Sequence, residues 1–278
     1  MIRCNSPLKW AGGKRKLLDR IYEHIPGRCA MFVDVFTGSG VVGANAPAPY
    51  VHMYDLNTHL VSFLTHLRTD EDRLIERCEG LWEDGNNELH YYLCRNEFNS
   101  LVETEYNSLE KSALFYYLNK HCFNGLCRFN GDGKFNVPFG RYKAVDMNEE
   151  GLHQFSSKLK HCVIDTCDFR KVMSDARYLK STTVMYCDPP YAPVTETSFT
   201  GYTGEFGKDC QEELADLARK AARKGVTVIL SNSDTPFTRK LYADATLVEE
   251  LSVGRSISSK GSTRKPAAEL LVVYRRKK

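Results

Sequence analysis

The chain has 278 residues, of which 42% are hydrophobic and 26% charged, and its formal net charge is +3. This length and composition predict a folded globular protein, exclude a disordered chain, and leave no apolar run long enough to span a membrane. The start lacks the apolar stretch of a secretory signal, so we expect a cytosolic protein whose ten cysteines stay reduced.

Basic residues are concentrated in three segments of the chain. Residues 1–20, 119–145 and 254–278 together hold 19 of the 38 Lys and Arg but 3 of the 35 Asp and Glu. Brought together by the fold, these segments would form a basic surface for a polyanion. Taken singly, each segment is better explained as a solvated face.

The first part of the chain alternates helix, strand and turn. An amphipathic pattern predicts a helix over residues 14–24, which Pro26 ends. Apolar runs predict strands over residues 30–36 and 50–55 with a glycine turn between them. Asn57 is the expected N-cap of the helix that follows.

The middle of the chain has the pattern of an insertion. Residues 58–121 show helical periodicity, and an Asn-Gly-Asp-Gly turn within residues 127–137 predicts a β-hairpin. The alternation then resumes, with strands over 163–166, 183–187, 227–231, 246–251 and 270–274 and helices over 169–178, 209–224 and 236–243. We therefore predict an open α/β sheet domain formed by residues 1–57 and 146–278, interrupted by a mostly helical module at 58–145.

The most specific motif is the turn Asp188-Pro189-Pro190-Tyr191, which follows the predicted strand 183–187. Ligands of open α/β sheets bind beyond the carboxyl ends of the strands. The prolines remove two N–H donors and leave carbonyl oxygens beside one carboxylate. This suits an exocyclic amino group held by Asp188 and the Pro189 carbonyl, with Tyr191 stacked on the attached ring. The simpler alternative is that the prolines end a strand and Tyr191 packs.

A glycine turn follows the first predicted strand, and Asp55 ends the second. Gly38, Gly40 and Gly43 have the G-x-G-x-x-G spacing of a nucleotide-binding turn, and an acid at the next strand tip accepts bonds from ribose hydroxyls. The pattern predicts a nucleoside site and leaves a nicotinamide-dependent oxidoreductase as an alternative. The segment around Lys14 lacks P-loop spacing, and the chain has no C-x-x-C, so we predict neither a P-loop nor a metal site.

Taken in order, these motifs resemble the DNA adenine methylase family of N6-adenine DNA methyltransferases, in its α arrangement. The resemblance runs from Pro7 to about Leu271 and is carried by LKWAGGK (8–14), FTGSG (36–40), NGLCRFN (124–130), FNVPFGRYK (135–143), CDPPYAP (187–193) and SISSKGSTRK (256–265). It implies a Rossmann-like sheet that binds S-adenosylmethionine, and a target-recognition insertion at 58–145. Double-stranded DNA is the implied partner, and GATC is the implied target.

The resemblance also implies roles for individual residues. The implied cofactor site comprises Trp10, Lys14, Phe36, Gly38, Gly40, Asp55, Asp168, Phe169 and Asp188. The implied catalytic motif is Asp188, Pro189, Pro190 and Tyr191. The implied DNA-binding residues are Lys9, Phe123, Asn124, Leu126, Arg128, Pro138, Arg141 and Tyr142. Phe123 stands where close relatives commonly carry a tyrosine, so one hydroxyl contact to DNA is lost here.

The implied reaction is direct methyl transfer to adenine N6 after the base is flipped out of the duplex. Arg128 is the kind of side chain that reads guanine, although its chemistry alone favours a phosphate contact. We expect a monomer that acts in the cytoplasm of a bacterial or phage-infected cell. The remaining alternative is a sequence-specific DNA-binding protein with a vestigial cofactor pocket.

Overall fold

The computed structural model describes residues 3–101, 108–192, 206–253 and 267–276. Their strands are β1 (Met31–Asp34), β2 (Tyr50–Asp55), β3 (Cys162–Thr166), β4 (Thr183–Cys187), β5 (Thr227–Ser233), β6 (Leu247–Val253) and β7 (Ala267–Tyr274). They form one seven-stranded sheet in the order β3-β2-β1-β4-β5-β7-β6. The first five are parallel, whereas β7 runs antiparallel to both of its neighbours. The predicted open α/β sheet is confirmed, and the carboxyl ends of β1 to β5 lie at one edge.

Helices connect these strands. In the described residues they are α1 (Leu18–Glu23), α2 (Val41–Ala44), α3 (Thr58–Thr69), α4 (Glu71–Trp82), α5 (Glu88–Ser100), α6 (Leu109–His121), α7 (Glu149–Leu159), α8 (Phe169–Ser174), α9 (Lys208–Arg223) and α10 (Pro236–Leu241). The predicted cap of α3 is confirmed, because the Asn57 side chain accepts a hydrogen bond from Leu60 N at 3.1 Å.

Both faces of the sheet are covered by helices. Successive side chains of a strand point to opposite faces, so each strand contributes to two cores. One face belongs to a core that includes α1, α3 and α7, to which the strands contribute Phe32, Val184 and Ile229. The other face packs on α8 and α9 and receives Val33, Met185 and Val228. A sheet covered in this way leaves its strand ends open for a site.

Five helices of the described residues, α3 to α7, lie between β2 and β3 along the chain. Helix α6 packs against α3, α4 and α5, and its residues from Lys111 to Asn119 are all buried. A helix that is apolar around most of its circumference needs neighbours on every side, which explains the cluster of helices around it. Helix α3 also packs on β2 and β3, so this helical region continues the core of the sheet.

Two predicted helices are shorter than expected. The pattern over residues 14–24 gives a 3-10 helix, Arg15–Leu17, and α1 begins only at Leu18. The helix expected over 169–178 ends at Ser174. There Asp175 has extended backbone angles, and its carboxylate accepts a hydrogen bond from Arg177 N at 2.8 Å, which ends the helix.

The hairpin predicted within residues 127–137 is present only as a tight reversal. Phe129 and Phe135 form one isolated antiparallel bridge, and Asn130 N donates to Lys134 O at 2.9 Å. No strand is assigned within 127–137, all of which the structure describes. At the turn end the ladder is interrupted because Lys134 N donates to the side-chain oxygen Asn130 Oδ1 at 2.8 Å, while Asn130 O accepts from Gly133 N at 3.0 Å.

Gly43 lies in α2 where this helix packs against β2. An added Cβ would lie 2.6 Å from Cγ of the buried Met53. We expect Gly43→Ala to lower the free energy of unfolding by about 1–3 kcal/mol, because a close-packed core resists overpacking. Gly80→Ala in α4 is the control, since its added Cβ meets only the flexible end of Arg77. Denaturant unfolding tests both variants, and equal stabilities would contradict this packing.

Candidate active site

The carboxyl edge of the sheet gathers four acidic residues. Asp34 ends β1, Asp55 ends β2, and Asp188 directly follows β4. These three strands are neighbours in the order β2-β1-β4. Glu269 pairs with Ser233 at the end of β5, and it reaches the same edge because β7 is antiparallel. The glycine turn and the DPPY turn therefore meet at one edge of the sheet.

Lys14 and Asp188 form an ion pair at this edge. The two atoms Lys14 Nζ and Asp188 Oδ2 are 2.9 Å apart, and Lys14 is only 5% exposed. The same ammonium donates to Gly12 O at 2.7 Å and lies 5.0 Å from the centre of the Tyr191 ring. Burial raises the pKa of Asp188, and Lys14 opposes that rise. Within the described residues, Asp188 Oδ1 is buried and has no hydrogen-bond partner, so it is available to a ligand donor.

Three buried polar side chains hold the backbone of the DPPY turn. Gln211 Nε2 donates to Pro190 O at 2.8 Å, Asn232 Oδ1 accepts from Ala192 N at 3.1 Å, and Ser233 Oγ donates to Ala192 O at 2.6 Å. Asn232 Nδ2 also donates to Gln211 Oε1 at 2.9 Å, which joins α9 and β5 into one support. Sequence reasoning missed all three residues. The polar run at the end of β5 was a local signal for Asn232 and Ser233, whereas Gln211 in α9 had none.

Glu269 contacts the side chain of the same turn. Tyr191 donates its hydroxyl hydrogen to Glu269 Oε2 at 2.9 Å. Burial, followed by the charges of Asp188 and Glu269, holds the pKa of Tyr191 well above its usual range, so the phenol stays a donor. Sequence reasoning missed Glu269 as well, although a single acid in an otherwise apolar strand marks it.

The glycine turn lies beside Asp55 and Trp10. Gly38 N donates to Asp55 Oδ2 and Asn57 N donates to Asp55 Oδ1, both at 2.9 Å. Gly38 has a φ of +48°, and an added Cβ there would lie 2.8 Å from the Trp10 indole nitrogen. Gly40, with a φ of +78°, is the N-cap residue of α2. Glycine is required at Gly38 both by the backbone angle and by the approach of the indole.

Asp34, at the end of β1, holds the glycine turn through hydrogen bonds. Its Oδ2 accepts hydrogen bonds from Thr37 Oγ1 at 3.0 Å and from Gly43 N at 2.9 Å. Its Oδ1 is buried and has no partner among the described residues. Burial raises the pKa of Asp34 to about 7, against the lowering effect of these two hydrogen bonds. The turn therefore rests on a carboxyl group that is protonated over much of the acidic range.

An aromatic cluster closes one side of this region. The rings of Phe36 and Phe169 are stacked with their centres 5.6 Å apart, and Phe206 packs its edge against Phe36 at the same separation. Asp168, which the resemblance placed near the cofactor, caps α8 by accepting from Arg170 N at 2.8 Å and also pairs with the Arg170 guanidinium at 3.1 Å. Sequence reasoning missed Phe206.

Several residues implied in DNA binding meet around the 3-10 helix Phe123–Gly125. Phe123 is 42% exposed, and its backbone N donates to Pro138 O at 2.8 Å. Tyr142 donates its hydroxyl hydrogen to Cys122 O at 3.0 Å, and Lys9 Nζ lies 3.9 Å from the centre of the Tyr142 ring. Asn124 lies in the same helix with a φ of +54°.

The other implied DNA-binding residues lie beside this cluster. Leu126 follows the 3-10 helix and is half-buried. Arg128 is exposed, and its Nε donates to Asn136 Oδ1 at 2.9 Å. Arg141 is also exposed, with its nearest carboxylate, that of Glu88, at 3.7 Å. The segment 256–265 and Pro193, which also carry the resemblance, lie outside the described residues.

Two features are absent from the described residues. No group of three or more His, Cys, Asp or Glu side chains is placed to hold a metal ion there. None of the helices in these ranges is both long and apolar enough to cross a bilayer.

Comparisons with known proteins agree on one family. The model of the family "D12 class N6 adenine-specific DNA methyltransferase" matches residues 10–254. The DNA adenine methylase of Haemophilus influenzae is 38% identical over 272 residues, covering 96% of this chain and 92% of its own. Those of Salmonella typhi and Escherichia coli K12 are 39% and 38% identical, each covering 96% of this chain and 94% of its own. The chain thus belongs to the D12 class of N6 adenine-specific DNA methyltransferases.

Proposed function

We propose that this enzyme transfers a methyl group from S-adenosylmethionine to N6 of adenine in double-stranded GATC sites, after flipping the adenine out of the duplex. The observation that carries the proposal is the state of the Asp188 carboxylate. One oxygen is paired with Lys14, whereas the other is buried and has no partner among the described residues. A buried acceptor of this kind is suited to the hydrogens of an amine.

The DPPY turn accounts for the choice of N6. The lone pair of this amine is delocalised into the adenine ring, so N6 is a poor nucleophile. Asp188 and the Pro189 carbonyl accept its two hydrogens and orient the amine so that the lone pair points out of the ring plane. Tyr191 supplies the surface on which the flipped base stacks, a contact worth about 1–3 kcal/mol.

The residues at the sheet edge fit S-adenosylmethionine, which supplies, when bound, a methyl group on a positively charged sulfur. Both Asp55 oxygens accept one backbone N–H each and keep lone pairs for ribose hydroxyls. Phe36, which is half-buried and stacks on the buried Phe169, offers an apolar surface for the adenine of the cofactor, and Lys14 and Asp188 match its charged amino-acid end. The loop from Phe36 to Gly40, with Trp10 against Gly38, forms the floor of this site.

The reaction needs no covalent intermediate on the protein. After transfer, N6 carries a positive charge and loses a proton readily, so no dedicated base is required. Asp188 stabilises the charge that develops on the amine, because a fixed carboxylate in a partly buried site needs little reorganisation.

DNA recognition is assigned to the region 58–145, with the catalytic domain formed by residues 1–57 and 146–278. Exposed Phe123 and Asn124 with its positive φ are suited to enter the space that the flipped base leaves. Lys9, from the catalytic domain, packs on Tyr142 of the recognition region, which supports one continuous surface for the duplex. We further propose that the enzyme acts as a monomer in the cytoplasm of a bacterial or phage-infected cell.

Arg128 is proposed to contact the guanine of the target through its exposed guanidinium. We expect Arg128→Ala to lower discrimination against a changed guanine by about 1–3 kcal/mol, the usual value of a bidentate guanine contact. The measurement compares kcat/KM on GATC duplexes with that on duplexes in which the G·C pair is changed. A variant that weakens transfer equally on both duplexes would assign Arg128 to the phosphate backbone instead.

The proposed function is tested by transfer of labelled methyl groups from S-adenosylmethionine to a series of matched duplexes. One duplex contains GATC, and each of the others changes one base pair of that site. We expect label on the GATC duplex alone. Label on every duplex that contains adenine would overturn the GATC assignment, and tight binding of GATC without transfer would favour a DNA-binding protein with a vestigial cofactor pocket.

A further inference from the structure

We propose that Glu269 is a positioning residue for Tyr191: by accepting the hydrogen bond from its hydroxyl, Glu269 holds the ring in the orientation on which the flipped adenine stacks. The inference rests on the proposed stacking role of Tyr191. Glu269 lies 78 positions from Tyr191 along the chain and comes to the site through the antiparallel strand β7.

The hydrogen bonds to the main chain of the DPPY turn do not set the orientation of the Tyr191 ring. Gln211 and Asn232 hold the backbone on either side of it, at Pro190 O and Ala192 N. Those bonds fix the position of the main chain, but they leave the two torsions of the side chain unrestrained. The hydrogen bond from the hydroxyl to Glu269, at 2.9 Å, restrains the far end of the side chain and therefore the ring.

Glu269 itself stands on a rigid support. It lies on β7, between β5 and β6, with Ser233 and Leu251 as its register partners on the two sides. Glu269 is 9% exposed, and the next residues of the strand, Leu270 and Leu271, are fully buried. The sheet therefore fixes the backbone from which the Glu269 carboxylate reaches Tyr191.

Glu269 is a buried acidic residue, so its side chain needs a hydrogen-bond partner. A buried carboxylate destabilises the fold unless it is paired or hydrogen-bonded. Across residues 3–101, 108–192, 206–253 and 267–276, no Lys, Arg or His forms an ion pair with Glu269. The side-chain donor found there is the Tyr191 hydroxyl. The hydrogen bond to Tyr191 is therefore the interaction that compensates for the burial of Glu269.

A second contact restrains the same ring. Lys14 Nζ lies 5.0 Å from the ring centre, a separation at which an ammonium is attracted to an aromatic face. The ring of Tyr191 is therefore restrained at its face by Lys14 and at its tip by Glu269. Lys14 also pairs with Asp188, so the acceptor of the amine and the stacking surface are held in one arrangement.

The test is a double-mutant cycle on the single-turnover rate of methyl transfer at saturating DNA and S-adenosylmethionine. We expect Glu269→Leu and Tyr191→Phe each to lower this rate about tenfold, with little change in KM for DNA. Glu269→Leu made in the Tyr191→Phe background is expected to cause little further loss. Glu269→Gln, which keeps an acceptor oxygen, is expected to recover most of the rate.

Glu250→Leu on the neighbouring strand β6 is the matched control, because Glu250 is exposed and pairs with Arg239 on the surface. Its transfer rate is expected to equal that of the unchanged protein. Unfolding curves identify any variant that does not fold, and if Glu269→Leu is one of them, Glu269→Ala, which also removes the acceptor, takes its place in the cycle.

Two results would overturn the inference. An equal loss from the Glu269 substitution with and without the Tyr191 hydroxyl would assign Glu269 to the stability of the sheet. Full activity of Glu269→Leu would remove its role altogether. Both results require an active unchanged protein, so they differ from failure of the proposed function, in which the unchanged protein itself transfers no methyl group to GATC duplexes.

Discussion

Replacing Asp188 with alanine is expected to lower the single-turnover rate of methyl transfer at least about a hundredfold, the scale of removing one preorganised polar group from a reacting centre. The reason is that Asp188 Oδ1, which is buried and has no hydrogen-bond partner in the part of the chain that the structure describes, is the acceptor proposed to hold the N6 amine. Affinity for DNA is expected to change little, because the exposed residues around the 3-10 helix Phe123–Gly125 remain in place. Rapid-quench measurement of labelled methyl transfer and a DNA-binding titration provide the two readouts.

Removing the Asp188 carboxylate also leaves the Lys14 ammonium buried without an ion-pair partner. An unpaired buried charge destabilises the folded protein, whatever its effect on catalysis. Asp188→Asn therefore accompanies the alanine variant, since the amide keeps the size of the side chain and one acceptor oxygen. The double substitution Lys14→Met with Asp188→Asn removes the unpaired charge. Transfer by the folded Asp188→Ala protein within tenfold of the unchanged rate would contradict the assigned role.

Asp34→Asn is expected to change how stability depends on pH. Burial raises the pKa of Asp34 to about 7 in the folded protein, whereas an unfolded aspartate titrates near 4. Between these values the folded state holds a proton that the unfolded state has lost, so stability falls as pH rises. We expect this one group to lower the free energy of unfolding by up to about 4 kcal/mol between pH 4 and pH 8.

The measurement is the free energy of unfolding by denaturant across that pH range, for the unchanged protein and for Asp34→Asn. An asparagine carries no such proton, so the decline between pH 4 and pH 7 is expected to be shallower in the variant. Asp165→Asn is the control, because Asp165 is exposed on the edge strand β3. Its pH dependence is expected to match that of the unchanged protein, and parallel curves for all three proteins would refute the burial argument.

Much of the fold could be predicted because its signals are local. The strand before Asp188 is an uninterrupted apolar run, and β4 occupies the predicted residues 183–187. Asn57 precedes a helical pattern and caps α3 as predicted. The glycine turn and the DPPY turn each follow a strand, so both were expected at the carboxyl edge, where the structure places them.

The supports of the site could not be predicted, because they depend on packing between distant segments. Gln211 has the pattern of an ordinary helical residue, and only the crossing of α9 near the DPPY turn brings its amide to Pro190 O. Glu269 reaches Tyr191 because β7 enters the sheet antiparallel beside β5. The sequence of apolar and polar residues within a single strand does not reveal which strand it pairs with, or in which direction. Phe206 joins Phe36 for the same kind of reason.

Local signals also overstated one element. The Asn-Gly-Asp-Gly turn predicts a hairpin by itself, yet the flanking residues form one isolated bridge. The side chain of Asn130 takes the hydrogen bond from Lys134 N that a longer ladder would give to Asn130 O. The propensity of the turn was identified correctly, but the pattern of residues did not show that an asparagine side chain would replace a ladder bond.

The most direct test of the account is the position of the transferred methyl group. The protein is incubated with S-adenosylmethionine carrying an isotopically labelled methyl group and a GATC duplex, and the DNA is then digested to nucleosides and analysed by mass. The account predicts labelled N6-methyl-2′-deoxyadenosine from the DNA treated with the unchanged protein. With Asp188→Ala, the rate at which this nucleoside forms is expected to fall at least about a hundredfold. Label on cytosine, or label on adenine that does not depend on Asp188, would contradict it.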